Sequence, residues 1–266
     1  MKYCALLLLL FLCLQSQAQQ QDTIPARTSS KRTTSLIDLR DVWESKTNYF
    51  ETKFKGHLSG VHLGFVDLIE TSYSMYSEED NDFLDPKTPR STSLSIYPVQ
   101  FNIGLQRYRN MIGIVTAPGV EFQTLHFDKD RSIVEDEDGI LQPITLDYHK
   151  NIKSKLSISS VSIPVLLEFQ IPIGSQQNRL FISGGIVGKC RIDAHTKIKF
   201  KKNEHTRQKL KTTDDFNLKR FNYTYMLRIG YRSFKFFAEY TPENIIKTNQ
   251  GPIVHPVTVG LTLMSW

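Results

Sequence analysis

Six ionisable residues recur at a spacing that limits what they can do. Glu121, Glu168, Lys189, Arg228, Lys235 and Glu239 each stand in a run where apolar and polar residues alternate, and each falls on the polar parity. Successive side chains of a strand point to opposite faces, so the six belong to the polar faces of their strands. Three are acids and three are bases, and charges enclosed together must pair. The set reads as a structural polar network, with Glu168 expected to pair with Arg228 or Lys235. No cofactor is expected beside it. Acyl transfer or hydrolysis would need a serine, a histidine and a carboxylate brought together. His126 and His255 stand near serines and acids, but their spacing matches no such arrangement, and a chain with seven histidines places some near serines by chance. Asp128-Lys-Asp-Arg-Ser opens like a calcium loop, yet Ile133 stands where glycine is required and Gly139 where the bidentate glutamate should be. No metal site is expected there.

The elements that carry these residues are alternating runs. From Tyr97 to Phe127, Val99, Phe101, Ile103 and Leu105 alternate with Gln100, Asn102, Gly104 and Gln106. After a polar corner, Ile112, Ile114, Val120 and Phe122 are set against Gly113, Ala117, Gly119, Glu121 and Gln123. This is an antiparallel hairpin with one apolar and one polar face. A preceding strand is expected over about His57 to Val66, and five follow: from Leu156 to Ile171, Leu180 to Asp193, Phe221 to Gly230, Phe234 to Thr241 and Val257 to Met264. The connections alternate long and short. On the eight apolar parities there is no Asp, Glu, Lys or Arg, although 23% of the chain is charged. A lipid-facing wall enforces that exclusion, because Arg or Lys at the bilayer midplane of a barrel costs about 2–4 kcal/mol. Aromatic girdles are expected at both rims. Tyr108, Phe169, Tyr231, Phe234 and Trp266 mark the short-turn end, and Tyr97, Phe122, Tyr223 and Tyr240 the loop end.

The fold class is therefore all-β, an eight-stranded antiparallel up-and-down transmembrane β-barrel with long surface loops and short periplasmic turns. An interior of that size is filled by side chains, so a polar core is favoured over an ion pathway. A secreted soluble barrel binding a hydrophobic ligand is the competing architecture, and it would need the apolar parities to point inward.

The N-terminus gives the address. Lys2 precedes an apolar block from Ala5 to Leu14 that runs into Ser16-Gln17-Ala18, the small-x-small pattern of a signal peptidase site. The block is about half the ~20 residues of a spanning helix. Residues 1–18 read as a cleaved signal peptide, 19–53 as a periplasmic N-terminal arm with weak helical spacing at Leu36, Leu39, Val42 and Trp43, and 54–266 as the barrel. Cleavage removes Cys4 and Cys13, which leaves Cys190 as a small residue on an apolar parity rather than half of a disulfide. The net charge of +6 is concentrated outside the strands, in the N-terminal region and in the stretch holding Lys197, Lys199, Lys201, Lys202, Arg207, Lys209 and Lys211. Anionic lipid headgroups, including lipopolysaccharide phosphates, are the expected partners rather than nucleic acid.

The order of features resembles the PorT-like outer-membrane β-barrel family. The likeness is carried by Gly60 to Phe65, Pro98-Val-Gln-Phe-Asn-Ile-Gly, Gly113 to Glu121, Ser162-Ile-Pro-Val-Leu-Leu-Glu-Phe, Phe181-Ile-Ser-Gly-Gly and Phe236-Phe-Ala-Glu-Tyr, and it covers about Gly56 to Trp266. The resemblance implies an eight-stranded outer-membrane barrel with both ends in the periplasm. The secretion and gliding role of the founding member is not carried over, because no residue here marks it. Trp266 fits an assembly signal for the barrel insertion machinery, although Leu261 and Leu263 are out of phase with it. The expected function is non-enzymatic: a structural or interaction role at the cell envelope, with an unknown envelope protein partner. The alternative is a lipid-modifying outer-membrane enzyme.

Overall fold

The computed structural model describes residues 54–77, 83–86, 88–106, 111–127, 131–136, 139–145, 153–173, 179–203 and 206–265, all within a compact unit spanning Trp43–Trp266. Residues 1–53, read above as a signal peptide and an arm, lie outside the described residues, as do Tyr108, the calcium-like Asp128 and Trp266.

Alternation of apolar and polar residues produces the strands β1 (Gly60–Ser72), β2 (Thr92–Tyr97), β3 (Phe101–Gly104), β4 (Ile112–Thr116), β5 (Gly119–His126), β6 (Arg131–Glu135), β7 (Leu141–Thr145), β8 (Lys153–Pro172), β9 (Arg179–Asn203), β10 (Thr206–Thr213), β11 (Phe221–Tyr231), β12 (Phe234–Tyr240) and β13 (Ile253–Met264). Proline cannot donate to a ladder. Accordingly β2 and β3 are one wall strand interrupted at Pro98, and β4 and β5 another interrupted at Pro118. The wall thus has eight strands. Antiparallel ladders run β9-β11-β12-β13-β1-β2-β5-β8, β4 and β3 continue the wall beside β8, and the β8–β9 ladder closes the circle. Closure removes most of the unpaired edge that an open sheet would expose.

The orientation is as the apolar parities require. Phe101 is 54% exposed and Leu261 44%, whereas Glu168 and Arg228 are 0% and 1% exposed. Phe65, Ile163, Val165, Ile186, Leu227, Phe236 and Val259 extend the same outward belt around the barrel. The soluble-barrel expectation, with apolar parities inward, is overturned by that placement. Phe169 and Phe234 stand outward at the short-turn rim and Phe122 at the loop-end rim.

Tyr97 departs from the expected girdle: it is fully buried in the lumen, its hydroxyl 3.4 Å from Ser162 Oγ. The cause is the break at Pro98. Before it Leu94 and Ile96 face outward, after it Val99 and Phe101 do, so the parity flips and Tyr97 joins Ser93 and Ser95 inside.

Two of the expected long loops contain strands of their own. β6 and β7 form a hairpin between β5 and β8, and the stretch from Thr196 that reads as a loop continues β9 to Asn203 and returns as β10. Above the polar lumen the inner faces turn apolar. Val66, Leu68, Leu125, Leu156 and Val254 from the wall join Phe83, Leu84, Phe216, Leu218, Ile245 and Ile246 from the loops in one buried cluster. Backbone bonds knit these loops together: Leu141 N–H to Gln250 O at 2.9 Å, Lys219 N–H to Ile245 O at 2.7 Å and Lys247 N–H to Asn217 O at 2.8 Å.

Candidate functional site

The lumen holds all six ionisable residues singled out above, and it splits them into separate groups. In the middle, Lys189 on β9 lies between two carboxylates, its Nζ 2.7 Å from Glu121 Oε2 on β5 and 2.7 Å from Glu239 Oε2 on β12. Ser93 donates to the other oxygen of Glu121 at 3.0 Å. A carboxylate or ammonium taken out of water alone would cost several kcal/mol, and bridging three strands offsets that by satisfying the cation twice. A cavity of about 50 Å³ adjoins this triad, lined among others by Gln123, Arg191, Asn222 and Thr224. At its edge Arg191 reaches Asp215 at 2.9 Å. That guanidinium holds the Asp215 carboxyl below the usual carboxylate range.

Nearer the short turns, Glu168 does not pair directly with Arg228 or Lys235 as expected. A stretch of the chain itself stands between them. His57, expected at the start of the first strand, is inside the barrel instead, because β1 begins only at Gly60 and the preceding residues turn into the lumen. Gly60 has φ +142°, and a Cβ there would lie 1.9 Å from the Met264 carbonyl oxygen, so only glycine fits this turn.

Residues 54–59 are then gripped through their backbone. Gln170 donates to Lys55 O at 2.7 Å, and Gln100 donates to Gly56 O at 2.8 Å while accepting from Leu58 N and Ser59 N at 2.8 Å each. Glu168 accepts from His57 N at 3.3 Å, Arg228 donates to His57 O at 2.9 Å, and His62 Nε2 lies 2.9 Å from Leu58 O. Buried backbone polar groups must find partners, and here wall side chains supply what a ladder otherwise would. The His57 ring adds a contact to Glu168 Oε1 at 2.8 Å and stacks on Phe181 with centroids 4.6 Å apart. Phe54 lies against Gly113, where a Cβ would come within 2.4 Å of its ring, and Leu58 packs with Tyr97, Val115, Leu166, Val187 and Met226. Lys235 donates to Ser265 at 2.7 Å. The sequence did carry a signal for this inward turn: the glycines at 56 and 60 bracket Gly-His-Leu-Ser-Gly just where the alternation begins.

The histidines weighed for hydrolysis stand on different strands, His126 on β5 and His255 on β13. His255 Nδ1 is 3.3 Å from the Thr241 carbonyl oxygen, and its ring lies beside Tyr240. The His126 backbone N–H donates to Ser91 Oγ at 2.9 Å. Cys190 is half-buried on β9, where its backbone pairs with Phe221.

A closed eight-stranded antiparallel wall, greasy outside and polar and filled inside, defines a membrane-spanning β-barrel. The chain belongs to the outer membrane protein beta-barrel domain family, whose model matches residues 48–242, well over half of its length. The matched span takes in the gripped segment and every wall strand except β13, which completes the circle between β12 and β1. No curated protein matches the chain.

Proposed function

We propose that this chain is a sealed, non-enzymatic outer-membrane barrel with a structural or interaction role at the envelope. In this reading residues 1–18 are a cleaved signal peptide, the barrel insertion machinery assembles the wall, and the long loops face outward with the short turns in the periplasm. The surface loops and the arm of residues 19–53 are the contact sites for an envelope protein partner. The observation that carries the reading is the occupation of the lumen by residues 54–59, with Gln100, Glu168, Gln170 and Arg228 committed to their backbone. Polar groups spent on holding the chain are not free to move ions or activate a nucleophile. A PorT-like placement within the family rests on the ordered motifs from Gly60 to Tyr240.

The test is photo-crosslinking in the native envelope from single sites in the loops and arm. Discrete protein adducts are expected from those sites, and none from a lumen site such as Tyr97. Absence of any protein adduct, together with a mass shift in lipid A on overexpression, would overturn the proposal in favour of a lipid-modifying enzyme.

A further inference from the structure

Above the apolar belt, the three strands β8, β9 and β10 rise together past the rim. Their register places Lys155 opposite Lys197 and Lys197 opposite Lys211, with Lys199 opposite Lys209 two residues higher. His126 on β5 flanks Lys155 in the lower row. Like charges directly opposite one another destabilise a sheet. With strands about 4.8 Å apart and alternate residues about 6.7 Å apart, five ammonium groups are confined to a small patch. Among the described residues none of the five has an ion-pair partner, and Asp193, lower on β9, is held by His195 at 3.1 Å.

The patch faces the bilayer side because of one irregularity. Along the middle of β9 odd residues face the lumen, as Lys189 does. A bulge leaves Ile192 unpaired between the Ser160–Arg191 and Ser159–Asp193 pairs. Beyond it Ala194, Thr196 and Ile198 are the buried residues. Bulges re-aim side chains, and this one turns Lys197 and Lys199 outward, onto the face that carries Ile186 and Ile192 lower down. Their height follows from strand geometry. At about 3.3 Å per residue and about 40° of tilt, Lys197 stands roughly 10–13 Å above Ile192. A phospholipid headgroup layer is only about 5–8 Å thick, so the ammonium groups sit at the level of a thicker, sugar-bearing headgroup.

We infer that the outer face of β8–β9–β10 binds the phosphorylated sugar headgroup of an outer-leaflet glycolipid. The inference rests on the proposed orientation, with the long loops outside. Phosphate oxygens lying between the two lysine rows would relieve the cross-strand repulsion, and each ammonium donates charge-assisted bonds to them.

The test uses the full-length protein in proteoliposomes of zwitterionic phospholipid alone, or with added phosphorylated lipopolysaccharide, its dephosphorylated form, or phosphatidylglycerol. Lysine acylation is read residue by residue by mass spectrometry. Lys155, Lys197, Lys199, Lys209 and Lys211 are expected to be protected several-fold by phosphorylated lipopolysaccharide alone, with Lys219 and Lys247 unchanged. Binding of the same lipopolysaccharide to K197Q, K199Q and K209Q is expected to weaken about fivefold per lysine removed, in variants that keep the folded band on unheated gels. Equal labelling in all four membranes would overturn the surface, and equal protection by phosphatidylglycerol would overturn the glycolipid assignment. An impermeant acylating reagent on intact cells isolates the orientation. Failure to label Lys219 and Lys247 there would sink the outward-loop reading itself, whereas their labelling with unprotected patch lysines sinks only this inference.

Discussion

At the residue scale, the buried charges should behave as groups that cannot be removed singly. Lys189→Met leaves Glu121 and Glu239 facing one another without their shared cation, and a loss of about 3–5 kcal/mol is expected. The triple variant Glu121→Gln, Lys189→Met, Glu239→Gln should cost clearly less than the single change. Both are read as the temperature at which the folded, fast-migrating band disappears on gels, and a triple variant weaker than Lys189→Met would show that the carboxylates do not depend on the cation. Arg228→Leu should also lower that temperature. Its guanidinium donates to the His57 carbonyl and lies 5.7 Å from the Phe181 ring centroid, so the loss is felt by the gripped segment rather than by a direct Glu168 pair. An unchanged band shift would count against that grip.

At the element scale, the turn at Gly60 and the bulge at Ile192 each decide where a whole segment goes. Gly60→Val forces a side chain into the Met264 carbonyl at a backbone angle L-residues rarely adopt. Residues 54–59 should leave the lumen or the ladder to β13 should fray, at a cost of about 2–4 kcal/mol. Increased protease cleavage near Leu58 is the expected readout, and wild-type resistance would contradict the assigned role of this glycine. Deleting Ile192 removes the extra residue, so Arg191 and Asp193 become consecutive opposite Ser160 and Ser159, and the β9 segment above keeps its register and its faces. Lys197 and Lys199 would then stay outward, away from the apolar cluster around Leu156 and Ile158. The expected result is a barrel that still reaches the heat-resistant form, and failure to fold would argue that Ile192 does more than add one unpaired residue.

At the scale of the whole molecule, the lumen is filled by three successive layers: the gripped segment at the short-turn end, the Glu121–Lys189–Glu239 triad in the middle and the apolar loop cluster at the mouth. The intact barrel in a planar bilayer should therefore show no steady conductance. A variant in which Phe54 and Leu58 are both replaced by alanine should show intermittent openings, because two buried anchors of the segment are lost. Steady channels from the wild type would overturn the sealed reading. The protein should also precipitate without detergent, since aliphatic and aromatic side chains from Leu63 to Leu263 make up its belt.

What the amino-acid sequence determined by itself was the wall: strand number, the hand of each parity and the exclusion of charge from one face. Those depend on a period of two and on the cost of charge in lipid, both local to each run. Tertiary structure decided the rest. Glycines at 56 and 60 suggest a break in the chain, but only the closed barrel shows that residues 54–59 turn inward and separate Glu168 from Arg228. Pro98 cannot donate to a ladder, but the flip that buries Tyr97 depends on how the strand resumes beside β4. The lysines of β9 read as a loop until their register with β8 and β10, and the bulge at Ile192, put them on one face. Pairing partners, lumen contents and register are long-range properties, set by which strands meet, and alternation along a single run carries no information about them.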